Sequence, residues 1–107
     1  MDYEALERVL GHTFQDKALL ETALTHTSFA NEARHGTKHN ERLEFLGDSV
    51  LSIVVAEYLF THSSLPEGDL TRMRASLVCE AALFTFAQKI GLGRWLRLGH
   101  GEEMGGG

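Results

Sequence analysis

One segment limits what this chain can fold into more than any other. From Asn40 to Thr61, NERLEFLGDSVLSIVVAEYLFT, there is no proline, a single glycine, and an apolar residue at almost every helical phase. A run of that length and composition reads as one long helix. With Glu41 set at zero and about 100° advanced per residue, Glu44 and Asp48 fall within an arc of about 60° that also holds Glu41. Leu43, Leu46, Val50, Ile53 and Val54 take the opposite side, and Phe45, Val55 and Leu59 continue or flank the acidic arc. A helix that is apolar nearly all round is ordinarily buried, so the pattern predicts a buried helix carrying three carboxylates. Burial of that kind is costly, because the acids repel one another and desolvation opposes their ionisation. A hard cation such as Mg²⁺, which takes carboxylate oxygens, would offset the cost. The plainer reading is an acidic first turn that complements the helix dipole, with Asn40 as N-cap. That reading leaves Asp48, two turns in, without a reason.

The rest of the chain also reads as helix. DYEALERVL ends at Gly11, DKALLETALTH starts from Asp16 as N-cap, and Pro66 separates the long helix from EGDLTRMRASLV. EAALFTFAQKIG closes on Gly91. HTSFANEARHGTKH, polar and carrying Gly36, is expected to be mostly loop, and LGHGEEMGGG has no helical period. No stretch alternates with period two, so the expected class is all-α, in one domain over residues 1–107.

The formal net charge of -5 argues against a broadly basic nucleic-acid clamp, though not against a local strip or a metal site. Cys79 is the only cysteine, which fits a reducing, cytoplasmic setting. The acidic, amphipathic start MDYEALERVL is unlike a secretion signal. The longest apolar run, VLSIVVAEYLF, is too short for a bilayer and contains Glu57, so no membrane association is expected.

HNERLEFLGDSVL, preceded by ALTHTSFANE and followed by EGDLTRMRASLV and GLGRWLRLGHGEEMGGG, resembles the catalytic domain of bacterial ribonuclease III over essentially the whole chain. The resemblance implies the helical ribonuclease III endonuclease fold and a homodimer that cuts both strands of double-stranded RNA. It implies Mg²⁺, with Mn²⁺ as a substitute, and products with 5′-phosphate and 3′-hydroxyl ends, in RNA processing. Carried over residue by residue, it makes Glu44 a metal ligand and Asp48 a catalytic carboxylate. Glu41 and Glu67 become members of the acidic cleft, and Phe45 an aromatic inserted into the partner at the dimer interface. The family completes its site with a downstream Asp-x-x-Glu pair and carries a C-terminal double-stranded-RNA-binding domain. Neither has a counterpart in residues 1–107, and Glu102 and Glu103 match the preceding loop instead, so the expectation is an incomplete catalytic domain. A non-catalytic dimerisation or RNA-docking module on the same fold stays open as the alternative.

Other features draw blander expectations. His35 and His39 share a spacing that zinc could use, but Gly36 lies between them and no third ligand is well placed. His26 is expected to be packed or hydrogen-bonded. Arg72 and Arg74 could touch phosphate or pair with acids, and Lys89, Arg94 and Arg97 form a thin basic stretch around Trp95. Gly47, costly in mid-helix, suggests close approach of another helix. Cys79 reads as a small buried apolar residue.

Overall fold

Six helices and one 3-10 turn carry the chain in the computed structural model, which describes residues 2–33 and 36–101. They are α1 (Glu4–Leu10), α2 (Lys17–Ala23), α3 (Thr27–Ala33), α4 (Glu41–His62), α5 (Glu67–Val78) and α6 (Glu80–Ile90), with the 3-10 turn over Leu92–Arg94. Most ends follow from local chemistry. Gly11 and Gly91 take the left-handed conformation, at φ 71° and 68°, which closes α1 and α6 at little steric cost. The Asp16 carboxylate accepts from Leu19 N–H at 3.0 Å and starts α2. Among the described residues the extended backbone amounts to one isolated parallel bridge, between Thr25 and Arg97.

Two expectations about elements change. The polar stretch after His26 is not mostly loop, because Thr27–Ala33 forms α3. The sequence signal was present: hydroxyl residues precede FANEA, a run without glycine or proline. The second helix stops at Ala23, short of the expected Thr25 and His26, because Leu24 and Thr25 turn to meet Arg97.

The core lies at one end of the molecule. Tyr3, Leu6, Leu20, Leu24 and Trp95 are buried together, with Phe14, Leu92 and Leu96 packed against them. Polar groups at its edge are partnered. Glu7, almost fully covered, pairs with Lys17 and accepts from Phe14 N–H at 2.7 Å. The hydrogen bond from Lys17, then that from Phe14, holds its carboxyl below the usual glutamate range. Burial, then the charge of Glu21, pushes the Tyr3 phenol up; its hydroxyl lies 3.5 Å from Glu21, which also pairs with Arg97.

Away from this core the chain thins out. α4 packs along α5, and α5 along α6. The molecule measures 50 × 28 × 24 Å with a radius of gyration of 16.0 Å, against roughly 13 Å for a compact chain of this length. The expectation that α4 is buried therefore fails for this chain by itself. Leu59 is its one buried residue, while Phe45 is 81% exposed, Ile53 68% and Phe60 77%. The physical reason is simple: α5 is the element that packs most extensively on α4, while α2 and α6 reach it only beside shallow recesses near its first turns. Gly47 follows the same correction, since a methyl group placed on it would meet nothing within 4 Å. Cys79, between α5 and α6, is exposed rather than buried.

Candidate active site

The carboxylates stand on the first two turns of α4, and the chain anchors that end firmly. Asn40 precedes the helix, but its side chain does not cap it. Its amide donates instead to Ala23 O at 2.9 Å, and its backbone N–H donates to Thr25 O at 2.9 Å. The start of α4 is thus tied to the corner between α2 and α3. Glu41 and Glu44 occupy the first helical turn, where the dipole favours negative charge.

Glu41, Glu44 and Asp48 line one shallow recess with Phe45, Gly47, Ser49, Leu51 and Leu83. All three acids are exposed, which corrects the expectation of buried carboxylates, and none has an ion-pair partner among the described residues. Three like charges are gathered on one face with no cation paired to them among the described residues. A surface of that kind repels a polyanion unless a cation intervenes. Carboxylate oxygens are the donors a hard divalent ion takes, and Mg²⁺ is commonly held by one or two of them while it retains water. The exposed pair Glu44 and Asp48, one turn apart, fits that requirement. Among the described residues no group of three or more His, Cys, Asp or Glu side chains is close enough to form a cage.

Glu67 does not join this cluster within one chain. It begins α5 and lines a second recess, with Glu57, Phe60 and Arg74, beside the far end of α4. Glu57 is nine residues beyond Asp48, roughly 14 Å along the helix axis. Thr71 Oγ1 donates to the Glu67 carboxylate at 3.0 Å.

The remaining candidates resolve plainly. His26 is hydrogen-bonded as expected, with Nδ1 2.7 Å from Ser28 Oγ. Arg72 pairs with Asp69 rather than standing free for phosphate, and Arg74 lines the recess of Glu67. Of the basic stretch around Trp95, the indole is core and Arg97 pairs with Glu21 and lies 4.3 Å from the centre of the Phe29 ring, while Lys89 and Arg94 are exposed. His39 Nδ1 accepts from Glu41 N–H at 3.4 Å; His35, the other half of the zinc spacing, lies outside the described residues, as do Glu102, Glu103 and the glycine-rich tail.

A family profile described as Ribonuclease-III-like matches residues 16–107. Ribonuclease 3 of Oceanobacillus iheyensis is 50% identical over 109 residues, covering 100% of this chain and 48% of that protein. Ribonuclease 3 of Bordetella pertussis is 56% identical over 108 residues, covering 100% of this chain and 40% of that protein. The chain thus spans about half the length, or less, of these curated relatives. A solved nuclease domain of ribonuclease III from Campylobacter jejuni, described for structural flexibility in a region involved in dimer formation, superposes with a TM-score of 0.84 at 44% identity. That alignment covers 98% of this chain and 71% of the other.

Proposed function

Since this chain belongs to the ribonuclease III family, we propose that it forms the catalytic part of a double-stranded-RNA endoribonuclease. The reaction is metal-dependent phosphodiester hydrolysis that leaves 5′-phosphate and 3′-hydroxyl ends. The observation that carries this reading is the exposed face of Glu41, Glu44 and Asp48 at the anchored end of α4, without ion-pair partners among the described residues. Glu44 and Asp48 would hold the divalent ion, Mg²⁺ or in its place Mn²⁺. When bound, the ion supplies positive charge against the scissile phosphate. The chain's own part is to orient and deprotonate. Asp48 lines the recess, where its carboxylate can accept a proton from water. Glu41, in the same lining, extends the negative face and helps to order solvent there. The tether from Asn40 to Ala23 and Thr25 keeps these oxygens in fixed register with the core.

A second copy of the chain is the natural cover for the rest of α4. Phe45, Leu46, Val50, Ile53, Val54 and Phe60 are all at least half exposed, and an apolar face of that extent marks an interaction surface. In this reading Phe45 is the interface anchor, and the open space at Gly47 leaves the backbone free for close approach. Glu67 belongs to the same acidic cleft only in the assembled enzyme, since one chain keeps it apart. No helix among the described residues is long and apolar enough to cross a membrane; with the lone cysteine, we place the protein in the cytoplasm.

The test is Asp48→Asn in the full-length gene product. The change is nearly isosteric and removes the anion. Helix content and melting temperature should hold, while Mg²⁺-dependent cleavage of a long RNA duplex should fall at least a hundredfold. Cleavage close to wild type would remove Asp48 from the site.

A further inference from the structure

One recess runs against the net charge of -5. Between α2 and the start of α4 lies a hollow of about 570 Å³, lined by Lys38, His39 and Arg42 together with Asp16, Thr22 and Thr37. Its one carboxylate is already engaged, since Asp16 caps α2 by accepting from Leu19 N–H at 3.0 Å. Arg8, Lys17, Arg72 and Arg97 are each paired with an acid, whereas Lys38 and Arg42 have no such partner among the described residues. The Thr22 hydroxyl spends its proton on Ala18 O at 3.1 Å. His39 Nδ1 accepts from Glu41 N–H at 3.4 Å, so the neutral ring keeps its proton on Nε2 and donates from there. A hollow with a guanidinium, an ammonium and an imidazole donor is chemically suited to an anion, and phosphate is the anion that arginine and lysine hold best.

We propose that Lys38, His39 and Arg42 form a phosphate-binding recess, which takes a backbone phosphate of the RNA duplex a few nucleotides from the one hydrolysed. The anion chemistry is read from the recess itself; that the anion belongs to RNA rests on the ribonuclease reading above. Position supports the pairing of the two sites. Arg42 stands about 100° around the helix from Glu41, on the side away from Glu44 and Asp48. Glu41 lines the acidic recess and His39 the basic one, and the hydrogen bond between them spans the tip of α4. A helix with its side chains is about 10–12 Å across, the axial rise of about three nucleotides at roughly 3.4 Å each. A strand held at Glu44 and Asp48 therefore reaches the basic recess over the tip of the helix, without crossing Phe45 and Leu46. Such a contact fixes the register of the duplex and carries no sequence information. Cations that were merely solvated would act only through the general field, equally with any other exposed pair.

The experiment compares wild type, Lys38→Ala, Arg42→Ala, the two combined, and Arg42→Lys in the full-length gene product. Lys89→Ala with Arg94→Ala is the control, since it removes two exposed cations elsewhere. Lys38 and Arg42 are exposed as well, so melting temperatures should hold. Binding of an RNA duplex in EDTA is measured over a salt series. The slope of log Kd against log salt should fall by about 1 in the combined variant, the loss of one phosphate contact, and stay at the wild-type value in the control and in Arg42→Lys. In Mg²⁺ the combined variant should cut with KM raised about tenfold and kcat within about twofold, because the contact is made equally before and during the reaction. An unchanged slope, or a fall shared by the control, would overturn the recess. So would a loss confined to kcat, which would make Arg42 a neighbour acting on Glu41 and Glu44. Arg42 also borders Phe45 and Leu46, so sedimentation checks the dimer; if Arg42→Ala weakens it, Lys38→Ala decides, and a wild-type slope there would overturn the recess. Wild type that binds the duplex but cuts none would overturn the nuclease reading while the slope still judges the recess, and wild type that does neither would overturn both.

Discussion

Phe45→Ala separates the interface from the fold, because Phe45 is 81% exposed in the single chain. A phenylalanine side chain buries roughly 200 Å² when fully covered. Closing over the exposed part would bury about 160 Å², and alanine would keep about a third of that, so the loss is about 110 Å² per site. At about 25 cal/mol per Å² this is close to 3 kcal/mol. A two-fold contact uses the patch twice, so full burial on both sides sets a loss of about 5 kcal/mol, or roughly three to four powers of ten in the dimer dissociation constant. The isolated chain should hardly notice, since an exposed residue substituted away from any packed partner stays within about 0.5 kcal/mol. Sedimentation velocity over a concentration series reads the first number, and thermal melting under monomeric conditions reads the second. A dimer constant that moves less than tenfold would refute Phe45 as an anchor. A melting temperature that drops sharply in the monomer would show that it packs inside its own chain.

Three further outcomes are expected. Because the Glu7 carboxyl sits below its ordinary pKa of 4.5 when folded, its stabilisation is present above that value and is lost as pH falls through the folded one; Glu7→Gln should lower the melting temperature at pH 7, and the gap to wild type should narrow as the pH is lowered below 4.5. Residues 1–107 present only part of the acidic set that the family resemblance implies. A version continued with the segment that follows in the Ribonuclease 3 relatives should therefore cut duplex RNA far faster than residues 1–107 at equal concentration, in an EDTA-sensitive way; equal rates would mean the visible acids suffice. Gly91→Ala, at φ 68°, should cost about 1–2 kcal/mol in denaturant unfolding, because alanine is strained in the left-handed region.

Much of the helical plan was decided by short-range chemistry. Gly11, Asp16, Pro66 and Gly91 act on their own few residues, so the ends of α1, α4 and α6 and the starts of α2 and α5 could be read in order. The shared arc of Glu41, Glu44 and Asp48 was legible for the same reason, since helical pitch alone puts them on one face. Tertiary structure decided everything that depends on which surfaces meet. It left α4 exposed where its apolar composition predicted burial, because composition records that a face is to be covered and not by what. It kept Glu67 beside Glu57 and Phe60, since the turn at Pro66 runs α5 back along α4 from its far end. It put Cys79 in solvent, and it turned Asn40 from a cap into a tether. Hydrogen bonds from Gly99 N–H to Ser28 and from His100 N–H to Glu32 join residues about seventy positions apart, and no local pattern encodes a hydrogen bond whose partner is brought into reach only by the tertiary fold.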